Sequence, residues 1–255
     1  MQNQSKSIIN RMLRKIESEH NIHVLYACES GSRAWEMHSA DSDYDIRFIY
    51  KRPVTDYLKL EPLPDCITLP IVGNLDFSGW DLGKALLLLR KSNPSLLEWL
   101  QSPIVYHADP DIQDSFAKLL DLYLNLNALR YHHRSLAMSS FHKHIDDGQV
   151  NYKKYLYALR SIFSIHWIDS HQTQPPIEFS KLMETQTDPT LIACVSQLLA
   201  LKRAGGEKLE GPRIKVIDEY IKNALDALKP KPVINVPDLS ALDEFFISQV
   251  LDKSH

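Results

Sequence analysis

The 255-residue chain is short of several features that would narrow its function early. It has three cysteines, Cys28, Cys66 and Cys194, odd in number and far apart. They argue against a disulfide framework and a four-thiolate zinc site, and point to a reducing, cytoplasmic setting. No apolar run can span a bilayer: the most apolar short stretch, Ala85 to Leu89, is bracketed by Lys84 and Arg90, so no membrane partner is expected. The opening residues, Met-Gln-Asn-Gln-Ser-Lys, have no apolar signal core. There is no internal repeat and no low-complexity tract. Nor is there a charge bias. A formal net charge of -3 gives no global electrostatic case for a nucleic-acid binder, while leaving room for a local basic patch. What is there is an ordinary globular composition, 44% hydrophobic and 24% charged, long enough for one large domain or two modest ones.

The hydrophobic period changes along the chain. Residues 5 to 20 repeat at 3-and-4 spacing through Ile8, Ile9, Met12, Leu13 and Ile16 and predict an amphipathic helix. Residues 22 to 28 predict a buried strand, ended by Glu29-Ser30-Gly31-Ser32. A short helix fits Arg33 to Met37. From Asp43 to Tyr50 charged and apolar residues alternate, with Asp43, Asp45 and Arg47 against Tyr44, Ile46 and Phe48, the period of a strand. Prolines 53, 62 and 64 mark a loop. Cys66 to Leu69 and Gly73 to Phe77 read as two strands, arranged as a hairpin. Ser78-Gly79-Trp80-Asp81 reads as a capping box that starts a helix, and Ser92-Asn93-Pro94 starts another. Ile104 to Tyr106 is an edge-strand candidate. Beyond residue 110 the period is helical over 111–145, 151–171, 188–204 and 212–228, punctuated by Gly205-Gly206. A linker with Pro230, Pro232 and Pro237 precedes a last helix. The chain therefore reads as α/β to about residue 108 and all-α afterwards.

The informative segment is Gly31-Ser32, ten residues, then Asp43-Tyr44-Asp45. Residues i and i+2 on a strand share a face, so Asp43 and Asp45 present two carboxylates together. Side by side they repel, and a divalent cation removes that cost. A few hard oxygen ligands suit Mg²⁺ completed by substrate phosphates. Gly31-Ser32 lies where a strand hands over to a helix, where glycine permits close backbone approach and free N–H groups meet phosphate.

These residues resemble the Gly-Ser … Asp-x-Asp signature of the DNA polymerase β-like nucleotidyltransferase superfamily. The strings Glu29 to Trp35 and Asp41 to Tyr50 resemble one branch, the YcgL-like and RNA-ligase-associated polymerase-β-like (RlaP) predicted nucleotidyltransferases. So do Asp76 to Leu82, Ser92-Asn93-Pro94 with Glu98-Trp99-Leu100, Lys154 to Arg160, and Glu210 to Arg213. The resemblance implies an α+β fold, with a mixed-sheet nucleotidyltransferase core over 1–108 and a helical domain over 109–255. It implies two-metal transfer of a nucleotidyl group from a nucleoside triphosphate, with Mg²⁺ or Mn²⁺ on Asp43 and Asp45 and a third carboxylate on a neighbouring strand. Asp76 is the candidate for that third ligand and Asp81 its rival, although Asp81 also reads as a plain first-turn helix acid. Gly31 and Ser32 hold the β- and γ-phosphates in this scheme. Arg33 is either a triphosphate clamp or an ion-pair partner of Glu29, and Glu29 itself touches metal, Arg33 or neither. Lys154, Arg160 and Arg213 are candidate phosphate contacts.

Residues 130 to 171 concentrate Arg130, Arg134, Lys143, Lys153, Lys154 and Arg160 against Asp146, Asp147 and Asp169. They form either a solvated helix face or a surface for a triphosphate or an RNA end. His132, His133, His142 and His144 lie among them without the spacing of a closed zinc site. Tyr152, Tyr155 and Tyr157 and the four tryptophans read as core, with one tyrosine available to stack on a base. Besides an enzyme acting on RNA, protein or a small molecule, two alternatives stand: a non-catalytic or antitoxin-like module that kept the fold, and a nucleotide-sensing regulator.

Overall fold

The computed structural model describes residues 2–142, 145–146, 149–205, 209–229 and 237–252. The side chain of His142, and Lys143, His144, Asp147, Gly206, Pro230 and Pro232, lie outside the described residues. In chain order the elements are α1 (Gln2–His20), β1 (His23–Ser30), α2 (Gly31–Ala34), β2 (Tyr44–Lys51), α3 (Val54–Tyr57), β3 (Cys66–Thr68), β4 (Leu75–Asp81), α4 (Leu82–Arg90), α5 (Pro94–Leu100), β5 (Val105–Ala108), α6 (Ile112–Tyr123), α7 (Leu126–His142), β6 (Ile145–Asp146), β7 (Gln149–Asn151), α8 (Tyr152–His171), α9 (Phe179–Met183), α10 (Pro189–Gly205), β8 (Glu210–Pro212), α11 (Lys215–Ala227) and α12 (Ser240–Leu251). The fold is α+β. No helix among the described residues is long and apolar enough to cross a membrane.

The chain forms two compact units, and neither is continuous in sequence. The first comprises Met1–Gly31, Asp43–Leu124 and Asn235–His255; the second comprises Ser32–Ser42 and Asn125–Ile234. A cut near residue 108 therefore falls inside the first unit. The reason is packing. α6 buries Ile112, Phe116, Leu119 and Tyr123, Phe116 meets Phe245 of α12 at 5.8 Å, and the Tyr123 hydroxyl donates to the Asp238 carbonyl at 2.9 Å. Conversely, Met37 and Trp35 of the short excursion belong to the core of the second unit.

The first unit is built on a mixed five-stranded sheet in the order β3-β4-β2-β1-β5, with β2 and β4 parallel and the other pairs antiparallel. The alternation in β2 buries Ile46, Phe48 and Tyr50. They join Ile9, Leu13 and Ile16 from the apolar stripe of α1, and Val24, Ala27, Phe77 and Tyr106. Each valine, leucine, isoleucine or phenylalanine among them contributes roughly 1.5–3 kcal/mol by leaving water.

The stretch Ser78 to Asp81 departs from expectation. These residues are not a capping box at a helix start; they complete β4, in register with Arg47 to Tyr50. Asp81 is instead the N-cap of α4, its Oδ1 accepting from the Gly83 N–H at 2.9 Å. The pattern fits both frames, and Gly79 decides between them. A Cβ there would stand 2.1 Å from the Phe48 ring, so glycine lets β4 lie against β2 without displacing that ring. The helix start at Asn93-Pro94 is as expected, with Asn93 Oδ1 accepting from the Leu96 N–H at 3.2 Å.

The second unit packs α7, α8, α9, α10 and α11 around Leu156, Leu159, Ile162, Phe163, Leu182, Val195, Leu198, Ile217 and Ile221. One helix was expected over 111–145. Two form, because Leu124 takes an extended conformation after α6. A three-stranded sheet, β6-β7-β8, joins the helices. Its strands are two or three residues long, too short to show a period in sequence.

His133 is 2% exposed. Burial, and then the positive charges of Arg160 and His132, push its pKa down to about 3. The folded state thus binds fewer protons than the unfolded state. The contribution is whole above about pH 6.5 and is lost as pH falls toward 3, by up to about 1.4 kcal/mol per pH unit. Urea midpoints measured from pH 7 to pH 4 should fall on that slope, and His133→Phe should flatten it.

Candidate active site

In the first unit the register does most of the positioning. Ser30 of β1 pairs with Asp45 of β2, and Asp45 pairs with Asp76 of β4. Because β2 and β4 are parallel neighbours, register partners leave the same face, and the two carboxylates stand side by side. Arg47, two residues along β2, shares that face. Its Nη2 donates to Asp45 Oδ1 at 2.9 Å and to Asp76 Oδ2 at 2.7 Å. Its Nη1 donates to the carbonyls of Ile46 and Asp76, both at 3.2 Å. The side chains of Asp45, Asp76 and Arg47 are 29%, 23% and 18% exposed, so a ligand can reach them from solvent.

Behind Asp45 lies Glu29, which is fully buried. Glu29 Oε1 accepts from the Asp45 main-chain N–H at 2.8 Å, and Oε2 accepts from the Tyr106 hydroxyl. Its own carbonyl takes the Ser102 hydroxyl at 2.6 Å. The Glu29 carboxylate thus sets the backbone that carries Asp45. Neither this role nor Tyr106 could be read from sequence, because Ser102 and Tyr106 lie more than 70 residues away. Beside Glu29, burial and the Glu29 charge push the Cys28 thiol far up, which leaves it protonated and unreactive.

Gly31 ends β1 with φ +62, and a Cβ there would stand 2.1 Å from Asp45 Oδ2. Glycine is required twice, once by its backbone and once by the carboxylate pressed against it. Asp43 sits one residue before β2, where the Tyr44 N–H donates to the Asn74 carbonyl at 2.7 Å. Asp81, the rival to Asp76, caps α4 and accepts from the Tyr57 hydroxyl at 2.9 Å, and burial raises its pKa.

The excursion Ser32–Ser42 leaves the sheet directly after Gly31 and returns directly before Asp43. Within the second unit, Ser32 is buried and its carbonyl accepts from the Met37 N–H at 2.9 Å. Arg33 Nη2 donates to the Ser42 carbonyl at 2.7 Å, closing the excursion on itself. Arg160 is 5% exposed and lies over the Trp35 ring at 4.3 Å, with Nη2 donating to the Ile177 carbonyl at 3.3 Å. Arg213 pairs with Asp218 at 2.8 Å, and Asp218 also accepts from the Tyr155 hydroxyl at 2.6 Å. Lys154 is half-buried on α8. Burial, then the charges of Arg33, Arg203 and Lys202, hold the His38 pKa low, which places four basic groups in one neighbourhood. Lys202 and Arg203 lie at the end of α10, where sequence spacing gave no sign of this.

The basic run at 130–171 is partly internal. Arg130 is buried on Asp169 and the Lys229 carbonyl, and Arg134 donates to the Leu228 carbonyl. Among the described residues no group of three or more His, Cys, Asp or Glu side chains forms a metal cage. The Asp45–Asp76 pair nevertheless offers hard carboxylate oxygens, and it already binds one cation, the Arg47 guanidinium. Its chemistry matches an open site whose further ligands are water and phosphate oxygens.

A glycine-turn strand beside two parallel acidic strands in a mixed α+β sheet is the arrangement of a polymerase-β-like nucleotidyltransferase. The chain belongs to the RNA repair pathway DNA polymerase beta family (RlaP), which it matches over residues 5–248. It is 41% identical over 217 residues to the uncharacterized protein YcgL of Bacillus subtilis (strain 168), covering 85% of this chain and 84% of that one. A crystal structure of a nucleotidyltransferase-like protein from Exiguobacterium sibiricum 255-15 aligns at 12% identity, covering 95% of this chain and 76% of that chain, with a TM-score of 0.32.

Proposed function

We propose that the protein is a metal-dependent nucleotidyltransferase that moves NMP from a nucleoside triphosphate to an acceptor hydroxyl, with an RNA end as the favoured acceptor. The observation that carries this reading is the pairing of Asp45 with Asp76 across β2 and β4, beside the Gly31 turn. Family membership supports the reaction class, and the family's RNA-repair description supports the acceptor.

In this reading Asp43, Asp45 and Asp76 would hold Mg²⁺ or Mn²⁺. When bound, two such ions supply charge stabilisation at the phosphate oxygens and make the attacking hydroxyl more acidic. Asp76, on its own strand, orients the acceptor side and takes up the hydroxyl proton. Gly31 keeps the backbone close and free of a side chain where the β- and γ-phosphates lie, and Ser32 and Arg33 follow it directly as phosphate contacts. The acceptor oxygen forms a bond to the α-phosphorus, the bond from that phosphorus to the bridging oxygen breaks, and pyrophosphate leaves with its electron pair. Lys154, Arg160 and Arg213 stand as proposed nucleotide-binding residues on the strength of the family-like strings.

The test is nucleotide affinity with and without metal. Each nucleoside triphosphate should bind at least about ten-fold more tightly with Mn²⁺ than with EDTA, a difference of about 1.4 kcal/mol. Equal affinity in EDTA would favour the non-catalytic nucleotide-binding module instead.

A further inference from the structure

We propose that Arg47 is an internal counter-cation at the carboxylate pair, and that loading a divalent metal and releasing the Arg47 guanidinium are one coupled exchange. The proposal rests on the nucleotidyltransferase reading and goes beyond it by assigning Arg47 control over when metal enters.

The geometry is specific. One nitrogen, Nη2, spans the two carboxylates at 2.9 and 2.7 Å. A divalent ion held by Asp45 and Asp76 would compete with Arg47 for the same two carboxylates. It would also stand within a few ångströms of a permanent positive charge, where repulsion is strong in a partly buried site. The two cations therefore exclude each other. The other nitrogen, Nη1, is held by the Ile46 and Asp76 carbonyls. Full release of the guanidinium therefore also gives up these two carbonyl contacts. A planar fork with five donors can hold two carboxylates and two carbonyls at once, which a lysine ammonium cannot.

The arrangement has a functional consequence. Without nucleotide, the guanidinium offsets the repulsion between Asp45 and Asp76, and metal alone must displace two charge-assisted hydrogen bonds to enter. A triphosphate changes the balance. Its oxygens add ligands for the metal and offer a new anionic partner to the freed guanidinium. Metal and nucleotide then bind with positive coupling, and each strengthens the other equally. Arg47 is a positioning residue in this account, since it acts on the carboxylates.

The test measures Mn²⁺ binding by the electron paramagnetic resonance signal of free Mn²⁺. It uses the full chain as wild type, Arg47→Met and Arg47→Gln, with and without a non-hydrolysable triphosphate, and with parallel thermal melts. Without nucleotide, both variants should bind Mn²⁺ at least ten-fold more tightly than wild type. The gain in Mn²⁺ affinity from added nucleotide should shrink at least ten-fold. Metal-free variants should melt below wild type and recover more of that loss when Mn²⁺ is added. A variant unfolded without metal should regain its melting transition with Mn²⁺, and failure to do so counts against the exchange. Unchanged or weaker Mn²⁺ binding by folded variants, while wild type binds Mn²⁺ with nucleotide, overturns the Arg47 proposal alone. No Mn²⁺ binding to any of the proteins, with or without nucleotide, overturns the nucleotidyltransferase reading and the exchange together.

Discussion

Changing Asp43 and Asp45 together to Asn should lower nucleotidyl transfer by at least about 1,000-fold, because a loss of several kcal/mol of metal-dependent stabilisation is worth that much in rate. The fold should survive. Asn at position 45 still offers a side-chain oxygen to Arg47 Nη2, and Arg47 keeps Asp76 and two carbonyls. The bond from Glu29 to strand β2 uses the main-chain N–H of residue 45, which the substitution leaves alone. The expected pair of results is a lost rate with a melting curve close to wild type, read by turnover and circular dichroism on the same preparation. A folded double variant with wild-type turnover would remove these carboxylates from the chemistry.

Gly31→Ala should be a strongly destabilising single-methyl change in the first unit. The left-handed backbone at Gly31 costs a non-glycine residue about 1–2 kcal/mol. The added Cβ also meets Asp45 Oδ2 at 2.1 Å. The carboxylate must rotate away, and it carries the Arg47 contact with it. Strain of that kind costs roughly 1–3 kcal/mol more. Gly73 supplies the control: its φ is +63, yet a Cβ there meets nothing within 4 Å. Gly73→Ala should therefore cost only the backbone share. Urea denaturation of both variants separates the two terms, and equal midpoints would show that Asp45 does not press on Gly31.

Much of this was legible in sequence, and the parts that were not have physical reasons. The alternation from Asp43 onward identified β2, and it put Asp45 and Arg47 on one face before any pairing was known. Asp76 was legible as an acid on a strand-like segment. That it pairs with Asp45 was not, since the register between these two strands, distant in sequence, depends on long-range packing. Arg47 was visible as the third charged residue of the alternation, but its role needed both carboxylates in place. Ser78 to Asp81 was misjudged because serine and aspartate cap helices as readily as they end strands, and the deciding contact, Gly79 against Phe48, is non-local. The linear division near residue 108 did not anticipate the two excursions. Residues 32–42 carry only Trp35 and Met37 into the second core, and α12 returns to the first unit across more than 100 residues.

The central claim is nucleotidyl transfer, and the position of a radioactive label tests it most directly. Wild-type protein is incubated with Mn²⁺, RNA and, in separate reactions, triphosphates labelled at the α- or the γ-phosphorus. The account predicts that α-label becomes attached to the RNA, that γ-label appears only in pyrophosphate, and that the Asp43→Asn, Asp45→Asn protein does neither. Transfer of γ-label to an acceptor would contradict the account by showing phosphoryl rather than nucleotidyl transfer.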